Sequence, residues 1–112
     1  MAIQKWSDNI WVVDLPREPQ LSEDLAELTE RLREEPAHIV LNLERLAYLN
    51  SSHLAKLLRV RKRLIETDME LRLCSVPDSV WGVMLVTGLD QVFEFSQDVP
   101  SALASLQIDE DD

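Results

Sequence analysis

The sequence predicts a single-domain α/β fold: a mixed, mostly parallel sheet of about five strands, opened by an N-terminal antiparallel hairpin and accompanied by about four helices. Three observations predict it. Beyond residue 16, short apolar runs of strand character alternate with longer stretches whose leucines recur at helical spacing. That alternation implies right-handed crossovers feeding a largely parallel sheet. The run His38–Leu43 is apolar almost without a break, as in a strand covered on both faces. Finally, 112 residues, 46% hydrophobic and 29% charged, suffice for one core and match average globular usage, which excludes wholesale disorder and a fibrous architecture.

Each element has its own signal. Two extended segments, Ile3–Trp6 and Ile10–Leu15, flank the turn formers Ser7-Asp8-Asn9 and read as the hairpin; Trp6 and Trp11 are expected to pack at the sheet edge. Pro16 and Pro19 stop any strand. Ser22 is then expected to cap a helix carrying Glu23 and Asp24 in its first turn, with Leu21, Leu25, Leu28 and Leu32 inward and an end before Pro36. The buried strand Ile39–Leu43 follows. A loop through Tyr48-Leu49-Asn50 leads into a second helix over Ser51–Glu66, whose core side is expected to be Leu54, Leu57, Leu58, Leu64 and Ile65. Glu70–Val76 alternates as a strand, with Leu71 and Leu73 on one side. Pro77 opens a third helix over Asp78–Thr87, stopped by Gly88. Val92–Phe95 gives the last strand, and Pro100 opens a short final helix through Leu103 and Leu106. The domain is expected over residues 1–107.

The formal net charge is −10, which argues against a general affinity for nucleic acid or for an anionic membrane surface. Residues 108–112, with Asp109, Glu110, Asp111 and Asp112, read as an acidic, disordered tail. No apolar run approaches the ~20 residues that span a bilayer, and the N-terminus lacks the apolar segment of a signal peptide, so a cytoplasmic protein is expected. Cys74 has no second cysteine to pair with, and His38 and His53 form no recognised metal spacing with it. Neither a metal nor a cofactor is expected.

Four stretches fall in a recognisable order: Ile39–Leu43, then Tyr48-Leu49-Asn50-Ser51-Ser52-His53-Leu54, then Leu71–Val76, then Thr87-Gly88-Leu89-Asp90-Gln91-Val92-Phe93. Together they resemble the STAS family, the domain shared by sulfate transporters and anti-sigma factor antagonists, over residues 10 to 107. Family members typically carry Asp-Ser-Ser-Gly-Leu after the central strand and Thr-Gly-Leu before the last one. The second motif is complete here. In the first, Asn50 stands for the usual aspartate and His53 for the usual glycine. The resemblance implies a switch: phosphorylation at Ser51, with Ser52 as the alternate, by a partner serine kinase of the histidine-kinase-like ATPase type that is itself an anti-sigma factor. The partner surface is expected at Asn50, Ser51, Ser52 and His53 of that turn, together with Lys56 and Arg59 of the basic stripe that begins one turn further on.

Physical reasoning about these residues leaves two readings of Ser51. A phosphoryl group adds about −1.5 to −2 charges, and at a helix N-terminus it meets free backbone N–H groups, so the domain stays folded while a partner surface feels the change. Alternatively, Asn50, Ser51 and Ser52 are all good N-cap residues, and Ser51 serves only as a cap. His53 reads either as a specificity element or as an exposed residue at the helix start. Lys56, Arg59, Lys62 and Arg63, with Arg61, form a basic stripe that is either a solvated face or a dock for an acidic partner. The third helix is apolar almost all round, so some of Trp81, Leu85 and Val86 is expected exposed as a contact surface unless neighbouring helices cover it.

No catalysis is expected. Ser51 or Ser52 beside His53 lacks an acidic orienter and an oxyanion site, Cys74 sits within a strand, and two glycines leave no phosphate loop. The rival role is a STAS-type docking subunit of a larger assembly, a lipid-transport ATPase or a stress-signalling scaffold, with no phosphorylation cycle.

Overall fold

The computed structural model describes residues 2–107 in full, with the backbone of the last helix continuing to Asp111; the acidic tail expected over residues 108–112 lies outside the fully described residues. The elements are β1 (Ala2–Ser7), β2 (Ile10–Asp14), α1 (Gln20–Glu34), β3 (His38–Asn42), α2 (Ser51–Glu66), β4 (Leu71–Cys74), α3 (Asp78–Thr87), β5 (Phe95–Ser96) and α4 (Val99–Asp111). They form one five-stranded sheet in the order β1-β2-β3-β4-β5. The β1–β2 pair is antiparallel, and the three remaining pairs are parallel.

The two-residue period of the strands divides the core into two layers. Trp11 and Val13 of β2, Ile39 and Leu41 of β3, and Leu71 and Leu73 of β4 share one face with buried leucines of α1 and α2 and with Val80 and Met84 of α3. Ile10, Val12, Val40 and Cys74 point the other way, onto Ala102 and Leu106 of α4. A sheet covered on both faces explains why β3 lacks polar alternation. Arg72, the charged member of the α4 face, donates from its Nε to Ser105 Oγ at 3.1 Å.

Several expectations need correction. Helix α1 begins at Gln20, two residues before Ser22, and Ser22 is not its cap: Glu18 Oε1 accepts from both the N–H and the hydroxyl of Ser22, at 2.7 and 2.8 Å. The last strand is shorter than Val92–Phe95. Gly88 takes the left-handed φ of 76° that ends α3 and a 3-10 turn over Leu89–Gln91 follows, so pairing with β4 begins only at Phe95. Trp11 is buried, but Trp6 on the outer strand is 40% exposed. On α2, the inward residues are His53, Leu57, Val60 and Leu64; Leu58 and Ile65, expected in the core, are 39% and 58% exposed.

Candidate functional site

The loop between β3 and α2 is tied down before it reaches residue 50. Asn42 donates to Asp14 Oδ1 and accepts from the Glu44 N–H, Arg17 Nε donates to the Arg45 carbonyl at 2.7 Å, and Ser79 Oγ of α3 donates to the Ala47 carbonyl at 2.9 Å. Leu46 and Leu49 are buried in the main core. The loop therefore delivers Asn50 to a fixed position.

Asn50 is the N-cap of α2. Its side-chain oxygen accepts from the His53 N–H at 2.9 Å, and its own N–H donates to His53 Nδ1 at 3.1 Å. This is a reciprocal capping box in which histidine takes the place usually held by glutamate or glutamine. With Nδ1 accepting, the ring proton sits on Nε2, which faces Glu18 Oε1 at 3.4 Å. The His53 side chain is 1% exposed, and Tyr48 lies against it with ring centroids 5.8 Å apart. The exposed helix-start reading of His53 is thus wrong, and its imidazole is not part of an accessible partner surface. Satisfying two backbone and carboxylate partners draws the ring inward, a role that the position's local polarity does not reveal.

Glu18 consequently accepts from the first turn of α1 and faces the head of α2 with one carboxylate. The two bonds from Ser22, and then the neighbouring His53, hold its carboxyl below the usual carboxylate range. Its contribution to stability is therefore present at neutral pH and lost as pH falls through that lowered value.

With Asn50 as the cap, Ser51 is the first residue of the helix and not its cap. It is exposed, and its hydroxyl has no hydrogen-bond partner among the described residues. Ser52 is also exposed, but Lys56 Nζ donates to its hydroxyl at 2.9 Å. The first turn of α2 carries no acidic side chain, so the positive end of its dipole is not neutralised locally. Lys56 and Arg59 overhang a shallow cleft of about 160 Å³ against Leu25, Ala26, Thr29 and Glu30 of α1. The structure thus brings Asn50, Ser51, Ser52, Lys56 and Arg59 to one end and one side of α2. On α3, Trp81, Leu85 and Val86 are exposed, with Trp81 set edge-on to Phe95.

Cys74 is buried and donates weakly to the Leu41 carbonyl. Burial pushes its thiol up to about 11, which reduces the thiolate fraction at neutral pH about a hundredfold relative to an ordinary cysteine. Ellman's reagent is accordingly expected to label Cys74 only as the domain unfolds; rapid labelling of the native protein would contradict the burial. Among the described residues, no group of three or more His, Cys, Asp or Glu is placed to hold a metal ion. No described helix is long and apolar enough to cross a membrane.

Comparison with known proteins agrees with this architecture. The chain is similar to an anti-sigma-factor antagonist (STAS) domain protein from Planctomyces limnophilus, at 22% identity over 95% of this chain and 97% of that one, with a TM-score of 0.80. It is similar to a Moorella thermoacetica RsbS carrying a serine-to-glutamate substitution, at 16% identity over 96% of both chains and a TM-score of 0.76. The Bacillus cell fate determinant SpoIIAA in its phosphorylated form matches at 16% identity, over 94% of this chain and 97% of that one, with a TM-score of 0.72. The family model described as the STAS domain matches residues 13–102. With the fold, the strand order and this match in agreement, the chain belongs to the STAS domain family.

Proposed function

We propose that this chain is a non-catalytic regulatory domain that docks on a protein partner through the head of α2 and is released when Ser51 is phosphorylated. The observation that carries the reading is the exposed, unpartnered hydroxyl of Ser51 at the start of a helix whose first turn lacks a negative charge. A phosphoryl group there extends the acceptors available to the helix N-terminus and leaves the capping box untouched, so modification alters the surface while the fold persists. A similar protein described as an anti-sigma-factor antagonist, and another whose structure is of a phosphorylated form, support the same reading. The partner class is an anti-sigma factor and serine kinase of the histidine-kinase-like ATPase type, which places the protein in the cytoplasm and in transcriptional signalling. Ser52 is the weaker acceptor because Lys56 already engages its hydroxyl.

A second reading is favoured by one observation. His53, where the family usually has glycine, is consumed by the capping box, and Asn50 replaces the usual aspartate; a kinase that reads the standard turn meets a different surface. On that reading the chain is a docking subunit of a larger assembly, such as a stress-signalling scaffold or a transport ATPase, without a phosphorylation cycle. Affinity capture with wild-type, Ser51→Ala and Ser51→Asp baits separates the two. The switch requires a partner retained by the alanine form and weakened at least about tenfold by aspartate, a difference of ~1.4 kcal/mol. It also requires phosphate mapped to Ser51 by mass spectrometry after incubation with that partner and ATP. Equal capture by all three baits, with Ser51 unmodified, supports plain docking.

A further inference from the structure

The outward face of α2 carries a second stripe that the core does not use. His53, Leu57, Val60 and Leu64 face inward. On the opposite side, Ser51, Ala55, Leu58, Lys62 and Ile65 are all exposed. Their spacing alternates four and three residues, the repeat with which one helix presents a seam to another. The Ser51 end is small, allowing a second backbone to approach closely, while Leu58 and Ile65 offer apolar knobs 39% and 58% exposed. A lone exposed apolar side chain is ordinary, but Leu58 and Ile65 in one seam, on a helix already buried along its other face, are a docking pattern.

Charge indicates the occupant. Arg59 and Arg61 flank the seam on its two sides, and Lys62 lies within it. None of the three has an ion-pair partner among the described residues. In a chain of net charge −10, this is a local concentration of uncompensated positive charge beside exposed apolar side chains. By contrast, α3, the other exposed apolar face, carries Asp78 as its only charged residue, and nothing about it specifies a partner.

We infer that the Ser51–Ala55–Leu58–Lys62–Ile65 seam of α2 receives an amphipathic helix of the partner, with apolar residues at heptad spacing and glutamate or aspartate on its flanks. The inference rests on the docking reading above and gives its partner a chemistry. It also supplies a release mechanism: phosphate on Ser51 adds negative charge at the head of the seam, directly against an acidic helix.

Two synthetic helical peptides of three heptads, sharing one leucine seam and differing only in glutamate or lysine flanks, test this by titration into the isotope-labelled full chain. The glutamate peptide is expected to bind saturably, to shift amide resonances of Ser51–Glu66 foremost, and to weaken as salt rises. The lysine peptide, the Arg59→Glu/Arg61→Glu/Lys62→Glu chain and the Leu58→Asp/Ile65→Asp chain should each bind at least about tenfold more weakly. Retained native resonances in those variants exclude unfolding as the cause. Equal affinity for both peptides, no saturable binding, or shifts centred on Trp81, Leu85 and Val86 overturn the proposal. So does dimerisation of the free chain that Leu58→Asp abolishes, since the seam would then receive a second copy. Failure of the seam leaves the Ser51 capture and phosphate-mapping results standing, so the two readings fail separately.

Discussion

Val60→Asp is expected to leave the domain unfolded at room temperature, while Leu58→Asp and Ile65→Asp, on the same helix, leave it folded. Val60 has no exposed surface and belongs to the main core beneath α2. A carboxylate there finds no counter-charge among the apolar residues of that core, so the site must either bury a charge or hold the acid neutral well above its ordinary pKa, at a cost of several kcal/mol in either case. Lost apolar packing adds to that cost. Domains of this size have only ~5–15 kcal/mol in total, so the substitution consumes most or all of it. Leu58 and Ile65 project into solvent on the opposite face, where surface substitutions usually change stability by less than ~0.5 kcal/mol. Far-UV circular dichroism and urea titration read both results. A cooperative, wild-type transition for Val60→Asp, or loss of structure in Leu58→Asp, would mean that α2 is rotated from the orientation described.

That orientation is also where sequence reading and structure part company. The limits of α2 were legible because Asn50-Ser51-Ser52 marks a helix start and apolar residues recur through Ile65. Its rotation was not. Two apolar stripes share the helix, and the outward one contains Leu58 and Ile65, while the inward one begins with a histidine and depends on the smaller Val60. Counting leucines therefore blends the two faces. The charges hold the missing signal: Arg59, Arg61 and Lys62 surround Leu58 and Ile65, whereas the unbroken spacing of 53, 57, 60 and 64 excludes every cation. The sheet was easier, since the buried run of β3 and the alternation of Leu71 and Leu73 each fix a strand by short-range pattern. Its last strand was not, because the Val92–Phe95 pattern cannot show that the turn after Gly88 continues into Val92 and Phe93, whose N–H groups bond back to the Leu89 carbonyl, so that the ladder starts only at Phe95. Ser51 was placed correctly at the helix start by local signals, yet the distinction between cap and first helical residue required the geometry of Asn50 and His53.

His53→Ala is expected to cost about 2–4 kcal/mol and, at several degrees per kcal/mol, to lower Tm by roughly 10–20 °C. Three losses combine. The buried ring leaves a cavity beside Leu21, Leu46 and Tyr48, where a cleft of about 230 Å³ already adjoins it; the Asn50 N–H loses its acceptor, and Glu18 loses the Nε2 contact. Asn50→Asp serves as the contrast. Aspartate still accepts from the His53 N–H and adds negative charge at the positive end of α2, so its stability should stay within ~0.5 kcal/mol of wild type or rise slightly. His53→Gly restores the residue usual in the family at that position, but should be less stable than His53→Ala by about 0.5–1 kcal/mol, because glycine in a helix loses more backbone entropy. The order wild type, alanine, glycine in thermal melts would establish that the imidazole is a structural replacement for a cap, built into this chain at the foot of the Ser51 surface. A glycine variant as stable as wild type would instead mean that the Asn50–His53–Glu18 bonds contribute nothing net. The geometry at Ser51 would then have to be held by the loop contacts of Arg17, Asn42 and Ser79 alone.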